Sequence, residues 1–257
     1  MKIRWLVTSF LVLCICGGLI AGLFSRSIEA ALTAPLSVKM TTSSPVATAK
    51  PSKSPTPTTS GGTALAQDTF KRPNQVFWGT ASDGRQWAGD ANSIEVFSVT
   101  GGAGQVDHAQ GTFNAILGPA NANLEVIFSG MVNQFTQNGG VNMGAVLRWS
   151  DANNWYKALI DGNKLQILKR VNGKTTSLGS APFSARSGTS YTLLFRAVGA
   201  ALSVKAWPTN GLEPGNWMLT VMDAALSSGF GGLRFLLQND TVIRVTSFHE
   251  TAINNLV

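Results

Sequence analysis

Short runs of alternating apolar and polar residues, each broken by Gly, Asn or Asp, dominate this chain from Ala66 onward. Alternation with a period of two is typical of half-buried β-strands. In residues 191–198, one parity is apolar throughout and the other carries Thr192 and Arg196. Comparable runs fall at residues 93–99, 123–133, 141–150, 155–160, 165–171, 202–207, 233–237 and 242–248. We therefore expect an all-β domain of roughly 12 to 14 strands, which is too many for one open sheet and predicts two stacked antiparallel sheets.

The turn residues support this count. Asp161-Gly162 and Asn172-Gly173 each separate two apolar runs, and both dipeptides tolerate the positive φ that a two-residue hairpin turn requires. Together with Gly199-Ala200 they predict a continuous antiparallel meander over residues 146–207. The only helical pattern after residue 65 is a short turn at residues 222–228.

The first 26 residues predict a signal or transmembrane anchor. Lys2 and Arg4 precede residues 5–24, which carry no charge, and a 20-residue helix spans about 30 Å of hydrocarbon. Positive residues ahead of the apolar segment place the amino terminus in the cytoplasm and the rest outside. The segment exceeds the usual signal-peptide core, which favours a retained anchor, whereas small residues around Glu29 keep cleavage open.

Residues 27–65 predict a disordered linker. Between Thr33 and Ser60, 13 Ser/Thr and 5 Pro make up 18 of 28 residues, so this segment cannot bury enough apolar surface to order itself. Both cysteines, Cys14 and Cys16, lie in the apolar segment, which leaves no disulfide for the exported part. They are either small apolar residues of a membrane helix or part of a lipoprotein signal.

The net charge of +7 does not indicate a nucleic-acid-binding protein. Six basic residues and one acidic residue lie in residues 1–65, whereas fourteen basic residues face twelve acidic ones in residues 66–257. The one compact basic run, Lys164, Lys169, Arg170 and Lys174, surrounds a predicted hairpin, where lysines commonly protect a sheet edge.

Three segments carry a family resemblance. Asp68-Thr69-Phe70, the stretch from Trp78 to Trp87, and the stretch from Arg148 to Tyr156 resemble the concanavalin A-like lectin/glucanase superfamily, and more narrowly the laminin-G-like jelly-roll domains of exported bacterial proteins. The resemblance implies a jelly-roll sandwich over residues 66–254. It also implies that the first and last strands lie side by side, with residues 68–70 next to residues 242–248.

Catalytic patterns are weak in the exported part. Glycosidases need two carboxylates about 5 to 10 Å apart, but the acidic residues after residue 65 are never closer in sequence than Asp90 and Glu95. Glu95 and Glu125 lie in predicted strands and form the only candidate pair, against the simpler interpretation that both face solvent. We predict no catalytic residues.

Metal binding is expected only as one structural calcium ion. Two histidines, His108 and His249, are too few for a zinc site. The family resemblance implies a calcium ion near the paired termini, with Asp68 and Asp240 as candidate ligands. The simpler interpretation is that both carboxylates cap turns.

A sugar-binding surface needs aromatic faces and planar polar groups. The predicted ligand-binding residues around the turn at Asp151 are Arg148, Trp149, Asn154, Trp155, Tyr156 and Lys157. Trp78, Trp149 and Trp155 also suit a core, and Arg148 is expected to face outward with either Lys157 or Tyr156, depending on loop length. Trp207 and Trp217 flank a Pro/Gly-rich loop and are expected to be partly exposed.

The sequence thus predicts a membrane-tethered, extracellular module that binds a polysaccharide or cell-surface glycan without cleaving it and without a required cofactor. Its partners would be that glycan and, through the N-terminal helix, the membrane, and not nucleic acid. A hydrolase acting on di- or oligosaccharides and an adhesive module that binds a protein are the alternatives.

Overall fold

The computed structural model describes residues 62–254, which form a sandwich of two antiparallel β-sheets. The predicted anchor of residues 1–26 lies outside the described residues, as does all of the predicted linker of residues 27–65 except residues 62–65, which belong to the first strand. Within residues 62–254, no helix is long and apolar enough to cross a bilayer. The only helical element in this range is a single 3-10 turn, Asp90–Asn92.

The strands of residues 62–254 are numbered here in chain order. They are β1 (Gly62–Asp68), β2 (Gln75–Val76), β3 (Ala88–Gly89), β4 (Phe97–Thr100), β5 (Ala103–Val106), β6 (Gly111–Ile116), β7 (Leu124–Val132), β8 (Asn142–Asp151), β9 (Asn154–Ile160), β10 (Lys164–Val171), β11 (Lys174–Pro182), β12 (Ser190–Val198), β13 (Ala201–Pro208), β14 (Leu219–Met222), β15 (Phe230–Leu237) and β16 (Ile243–Ile253).

The nine-stranded sheet has the order β14-β13-β12-β7-β16-β5-β4-β2, and β1 pairs with the far half of β16. The seven-stranded sheet has the order β11-β10-β9-β8-β15-β6-β3. The predicted pairing of the first and last strands is confirmed, with Asp68 opposite Phe248. The first strand starts at Gly62, four residues before the predicted domain boundary.

The hairpin at Asn172-Gly173 is confirmed, but the long meander is not. A hairpin also forms at residues 161–164, but its turn residues are Gly162 and Asn163, because the Asp161 backbone N–H bonds the Lys164 carbonyl. Asn172 and Gly173 connect β10 to β11 with φ values of 48° and 78°, as a two-residue hairpin turn requires. The predicted meander ends at β11, because β12 crosses to the other sheet and pairs with β7 and β13. β11 is the edge strand of its sheet and pairs with β10 alone. Its residues are largely exposed and polar, as is common in edge strands.

An aromatic cluster fills one end of the interior. Trp78 is fully buried and contacts Phe70, Trp87 and Phe97 edge to face, with ring centroids 4.8–5.1 Å apart. Such pairs add about 0.5–1.5 kcal/mol each beyond the burial of their area. Gly104 makes this packing possible, because a Cβ there would lie 2.5 Å from a Phe70 ring carbon and 2.8 Å from a Trp78 ring carbon.

We expect Gly104→Ala to lower the free energy of unfolding by about 1–3 kcal/mol, since the added methyl group overpacks a rigid aromatic core. Gly215→Ala is the matched control, because nothing lies within 4 Å of a Cβ there. Urea unfolding monitored by tryptophan fluorescence measures both. Equal stability of the two variants would contradict this account of the core.

Candidate functional site

Arg148, a predicted ligand-binding residue, is a buried structural clamp. It sits in a bulge of β8 with φ 51°, so it faces outward with neither Lys157 nor Tyr156. Its guanidinium donates hydrogen bonds to the carbonyls of Ala122 (3.0 Å), Leu226 (2.7 Å) and Gly199 (2.6 Å). The bulge turns the side chain toward the loops, and the three bonds tie those loops together.

Tyr156 also belongs to the interior. Its hydroxyl donates to the Asp223 carboxylate over 2.6 Å and accepts a hydrogen bond from the Leu226 amide. Burial and the Asp223 carboxylate raise the pKa of Tyr156 to about 12. Lys169 forms an ion pair with the same carboxylate. This group therefore braces the loop after β14 and presents no aromatic face to a ligand.

Asn154 and Trp149 lie beside the turn at Asp151. The Asn154 side-chain NH2 group donates to both Asp151 carboxylate oxygens, at 3.1 and 3.0 Å. The Asn154 side-chain oxygen accepts a hydrogen bond from the backbone N–H of Asn172. These bonds clamp the β8–β9 turn to the next hairpin and, with the Asn153 amide, lower the pKa of Asp151. Trp149 is half-buried, and its indole Nε1 makes no hydrogen bond.

Trp155 and Lys157 lie on the outer side of the seven-stranded sheet. They share a parity on β9 that is opposite to that of the core residue Tyr156. The Lys157 side chain runs along the sheet over Gly144, where a Cβ would lie 2.9 Å from its Cε, and its ammonium donates to the Asn142 amide oxygen over 2.5 Å. Lys157 is only 4% exposed, and burial, followed by repulsion from Arg234, holds its pKa well below the usual range.

Arg234 lies on the same face and was not among the predicted ligand-binding residues; the same is true of Asn114, Asn142 and Arg170. Arg234 lies on β15 opposite Gly144 and Asn114, and its guanidinium stands 4.7 Å above the Trp155 ring and hydrogen-bonds the Asn114 amide. Burial, followed by repulsion from Arg170, lowers the pKa of Arg234 to about 10. The alternation of residues 233–237 would have placed it opposite the apolar parity, but only the sheet order brings β15 near Trp155.

Arg170 completes the group from β10. It lies directly opposite Trp155 in the register, donates to the Thr175 hydroxyl over 3.0 Å, and has a buried Nε with no hydrogen-bond partner. The register places all of these side chains on one side of the sheet. We call this surface the cationic face and define it by Asn114, Asn142, Trp155, Lys157, Arg170 and Arg234.

The candidate carboxylate pair does not converge. Glu95 is exposed in the turn before β4, outside any strand, whereas Glu125 is buried on β7 and pairs with Arg196 at 2.5 Å. β5 and β16 lie between β4 and β7 in the sheet, so the strands that carry or follow these residues are about 14 Å apart. This separation exceeds the range over which two carboxylates act on one glycosidic bond.

The two candidate calcium ligands are not neighbours either. Asp68 is buried and accepts hydrogen bonds from Arg72 on both oxygens, from the Trp87 indole and from two backbone amides, so its acceptor capacity is filled by donors. It lies opposite Phe248, whereas Asp240 is exposed before β16 begins at Ile243. Ile243 and Phe248 are five residue steps apart on β16, which is about 17 Å along the strand. The donor set of Asp68 does not fit a calcium ion, and residues 62–254 contain no cluster of three metal-ligating side chains.

Glu250 is the most perturbed carboxyl group in the described range, and sequence analysis placed it beyond the last predicted strand. β16 continues through it, and it shares the inward parity of Phe248. It is fully buried, and neither carboxyl oxygen has a hydrogen bond of good geometry, although the backbone N–H of Gly231 interacts with the carboxyl group and acts to lower its pKa. Burial raises its pKa to about 8. Gly118 and Gly231 leave room for it, because a Cβ at either would lie within 2.8 Å of the carboxyl group.

We expect the free energy of unfolding to fall as the pH rises from about 4.5 to about 8. In this window the unfolded chain releases the Glu250 proton, whose ordinary pKa is about 4.3, whereas the folded protein holds it until about pH 8. The stabilising contribution of protonated Glu250 is therefore fully present below the pKa that this residue has in the unfolded chain, and it is lost as the pH rises through its pKa in the folded protein. Glu250→Gln should flatten this slope and raise stability at pH 8.5.

Glu95→Gln is the control, since it removes an exposed carboxylate of the same chemistry. Urea unfolding at half-unit pH steps measures all three proteins. A Glu250→Gln variant with the same pH slope as the unmodified chain would contradict the assignment of a protonated, buried carboxyl group.

A second aromatic surface lies on the nine-stranded sheet. Trp207 is buried, contrary to expectation, whereas Trp217 is half-buried. Arg196 stands 4.8 Å and Lys205 5.2 Å from the Trp217 ring. Both cations also pair with carboxylates, Lys205 with Glu213 at 2.6 Å. The charges on this surface are therefore compensated within the fold.

No protein-family model matches this chain, and no curated protein matches it. Solved structures do match. A carbohydrate-binding module, CBM66 from Bacillus subtilis, superposes with a TM-score of 0.50 at 16% identity, over 63% of this chain and 94% of the module. A xylan beta-1,4-xylosidase from Bacillus halodurans gives 0.55 at 14% identity, over 72% of this chain and 38% of the enzyme.

A third match comes from work on endo-acting O-glycanases of the human gut microbiota, with a TM-score of 0.52 at 8% identity, over 75% of this chain and all of that one. The chain thus spans nearly the whole length of the binding module but about two fifths of the xylosidase. At these identities the likeness shows the fold alone, which is a lectin-like β-sandwich.

Proposed function

We propose that this protein binds carbohydrate through the cationic face and does not cleave it. The observation that carries the proposal is the grouping of an indole ring, two amides and a guanidinium on one side of the seven-stranded sheet: Trp155, Asn114, Asn142 and Arg234. Planar polar side chains bond sugar hydroxyls, and the buried Trp155 ring holds the Arg234 guanidinium in place on this surface. The match along nearly the whole CBM66 module supports a binding role.

We further propose that the domain belongs to the concanavalin A-like superfamily, near the laminin-G-like domains. The pairing of β1 with β16 supports this assignment, because that family closes its sandwich with its first and last strands. The predicted anchor and Ser/Thr/Pro-rich linker support a tether that holds the domain outside a bacterial membrane.

A glycoside hydrolase remains the second candidate, favoured by the likeness to the xylosidase and O-glycanase structures. A raised carboxyl pKa such as that of Glu250 suits a general acid. Against this, Glu250 is enclosed in the interior and the candidate pair Glu95 and Glu125 is separated. The full chain incubated with xylo-oligosaccharides should release no new reducing ends. Release of new reducing ends by the purified chain would contradict the non-cleaving proposal and establish the hydrolase instead.

An adhesive module that binds a protein is the third candidate. A glycan array that contains neutral and acidic oligosaccharides separates it from the proposed function. The full chain, solubilised in a polyoxyethylene detergent that carries no sugar headgroup, is the protein to test. We expect retention of at least one oligosaccharide class, and no retention of any class would contradict carbohydrate binding.

We expect Trp155→Leu to weaken binding of the retained oligosaccharide about tenfold, which corresponds to about 1.4 kcal/mol, because leucine has no aromatic face to hold the Arg234 guanidinium in position. Trp207→Leu is the matched control, since Trp207 is a similarly buried indole on the other sheet. Titration calorimetry measures the affinity, and thermal unfolding confirms that both variants fold. Equal weakening by the two variants would place binding elsewhere.

A further inference from the structure

The cations of the cationic face have no carboxylate partner within the described part of the chain. The ion pairs of residues 62–254 involve other basic residues, and none includes Lys157, Arg170 or Arg234. Asp90 forms no ion pair with Arg234, although its charge acts to raise the Arg234 pKa. Asn114 links the two residues, because its backbone and side-chain N–H groups donate to Asp90 and its side-chain oxygen accepts from Arg234. Arg170 and Arg234 are therefore cations without an ion-pair partner in this part of the chain, and Lys157 lies beside them as a buried amine whose charged form burial disfavours.

The donors of these cations are also largely unused. The Lys157 ammonium has three N–H groups and makes one hydrogen bond, to Asn142. Arg234 has five N–H groups and bonds Asn114 alone among the described residues. The buried Nε of Arg170 has no partner. Unfilled donors beside like charges form a receptor for an anion that accepts several hydrogen bonds.

The arrangement is compact. Arg234 on β15 and Arg170 on β10 are separated by β8 and β9, so the three cations lie within about 14 Å across the sheet. A nucleic-acid surface needs cations that follow a longer row of phosphates. A cluster of this size instead suits one or two charged groups, with the partly exposed Asn114 amide beside them for the rest of the ligand.

We propose that the ligand of this face is an acidic saccharide whose carboxylate accepts hydrogen bonds from Arg234 and Lys157, with Arg170 at the outer edge. This inference rests on the proposed carbohydrate-binding function and names its ligand class. Arg234 and Arg170 are half-buried and reach solvent, whereas Trp155 and Lys157 form the floor. Stacking on Trp155 fixes the Arg234 guanidinium, so its fork is held ready for a carboxylate.

The test uses paired ligands that differ only in charge. The probes are oligogalacturonate and oligoglucuronate, their methyl esters, a sulfated oligosaccharide, a neutral xylo-oligosaccharide and a single-stranded DNA oligomer. We expect the full chain to bind at least one free acid ten times or more tightly than its methyl ester, with an affinity that falls as salt is added. Tighter binding of the sulfated probe than of both uronates would assign the site to sulfate and overturn the carboxylate assignment.

Two variants locate the site. Arg234→Gln and Arg170→Gln should each lower the affinity for the acid at least fivefold and leave that for the ester within twofold. Lys174→Gln is the control, because Lys174 is an exposed cation on the same sheet. Arg170 bonds only Thr175 among the described residues, so its variant keeps the test valid if Arg234→Gln fails to fold.

The outcomes separate the two proposals. Equal binding of acid and ester, or of the neutral probe alone, overturns the acidic-ligand inference and leaves carbohydrate binding intact. No binding to any saccharide removes the proposed function itself. If Lys174→Gln weakens binding of the acid as much as Arg234→Gln does, the proposed location is wrong. If the DNA oligomer displaces the saccharide, the proposed ligand class is wrong.

Discussion

The strand β16 is the constraint on which the two sheets depend. Its eleven residues pair with β7 on one edge and with β5 and then β1 on the other, so both edges of its backbone are satisfied inside the domain. A register shift against β7 between Val245 and Ser247 falls where the partner on the other edge changes from β5 to β1. The inward parity of β16 then places Phe248 against the aromatic cluster and Glu250 between the sheets.

The strand β9 divides the chemistry of the molecule between two environments. Tyr156 faces inward and braces the loop at Asp223, whereas Trp155 and Lys157, its neighbours in sequence, face outward. A predicted site drawn from consecutive residues therefore splits into a structural half and a surface half. Trp155 and Lys157 lie beside a guanidinium only because the sheet order places β15, which carries Arg234, on the other side of β8.

The like-charged grouping on the cationic face works against stability, because burial and mutual repulsion disfavour the charged forms of Lys157 and Arg234. By contrast, Arg196 and Lys205 on the other sheet are paired with carboxylates. Uncompensated charge that a fold retains at one place is a common mark of a binding site. The same reasoning distinguishes Glu250, whose neutral form lets the sandwich bury a carboxyl group without a partner.

Alternation and turn chemistry by themselves determined the all-β class, the two-sheet sandwich and the Asn172-Gly173 hairpin, because each depends on residues that are close in sequence. The predicted pairing of the chain ends came from family resemblance. Only the tertiary structure decided that Arg148 sits in a bulge and that β12 leaves the meander. It alone brought Arg234 over Trp155, because the order of strands in a sheet depends on pairing between residues that are distant in sequence, and no local pattern encodes it.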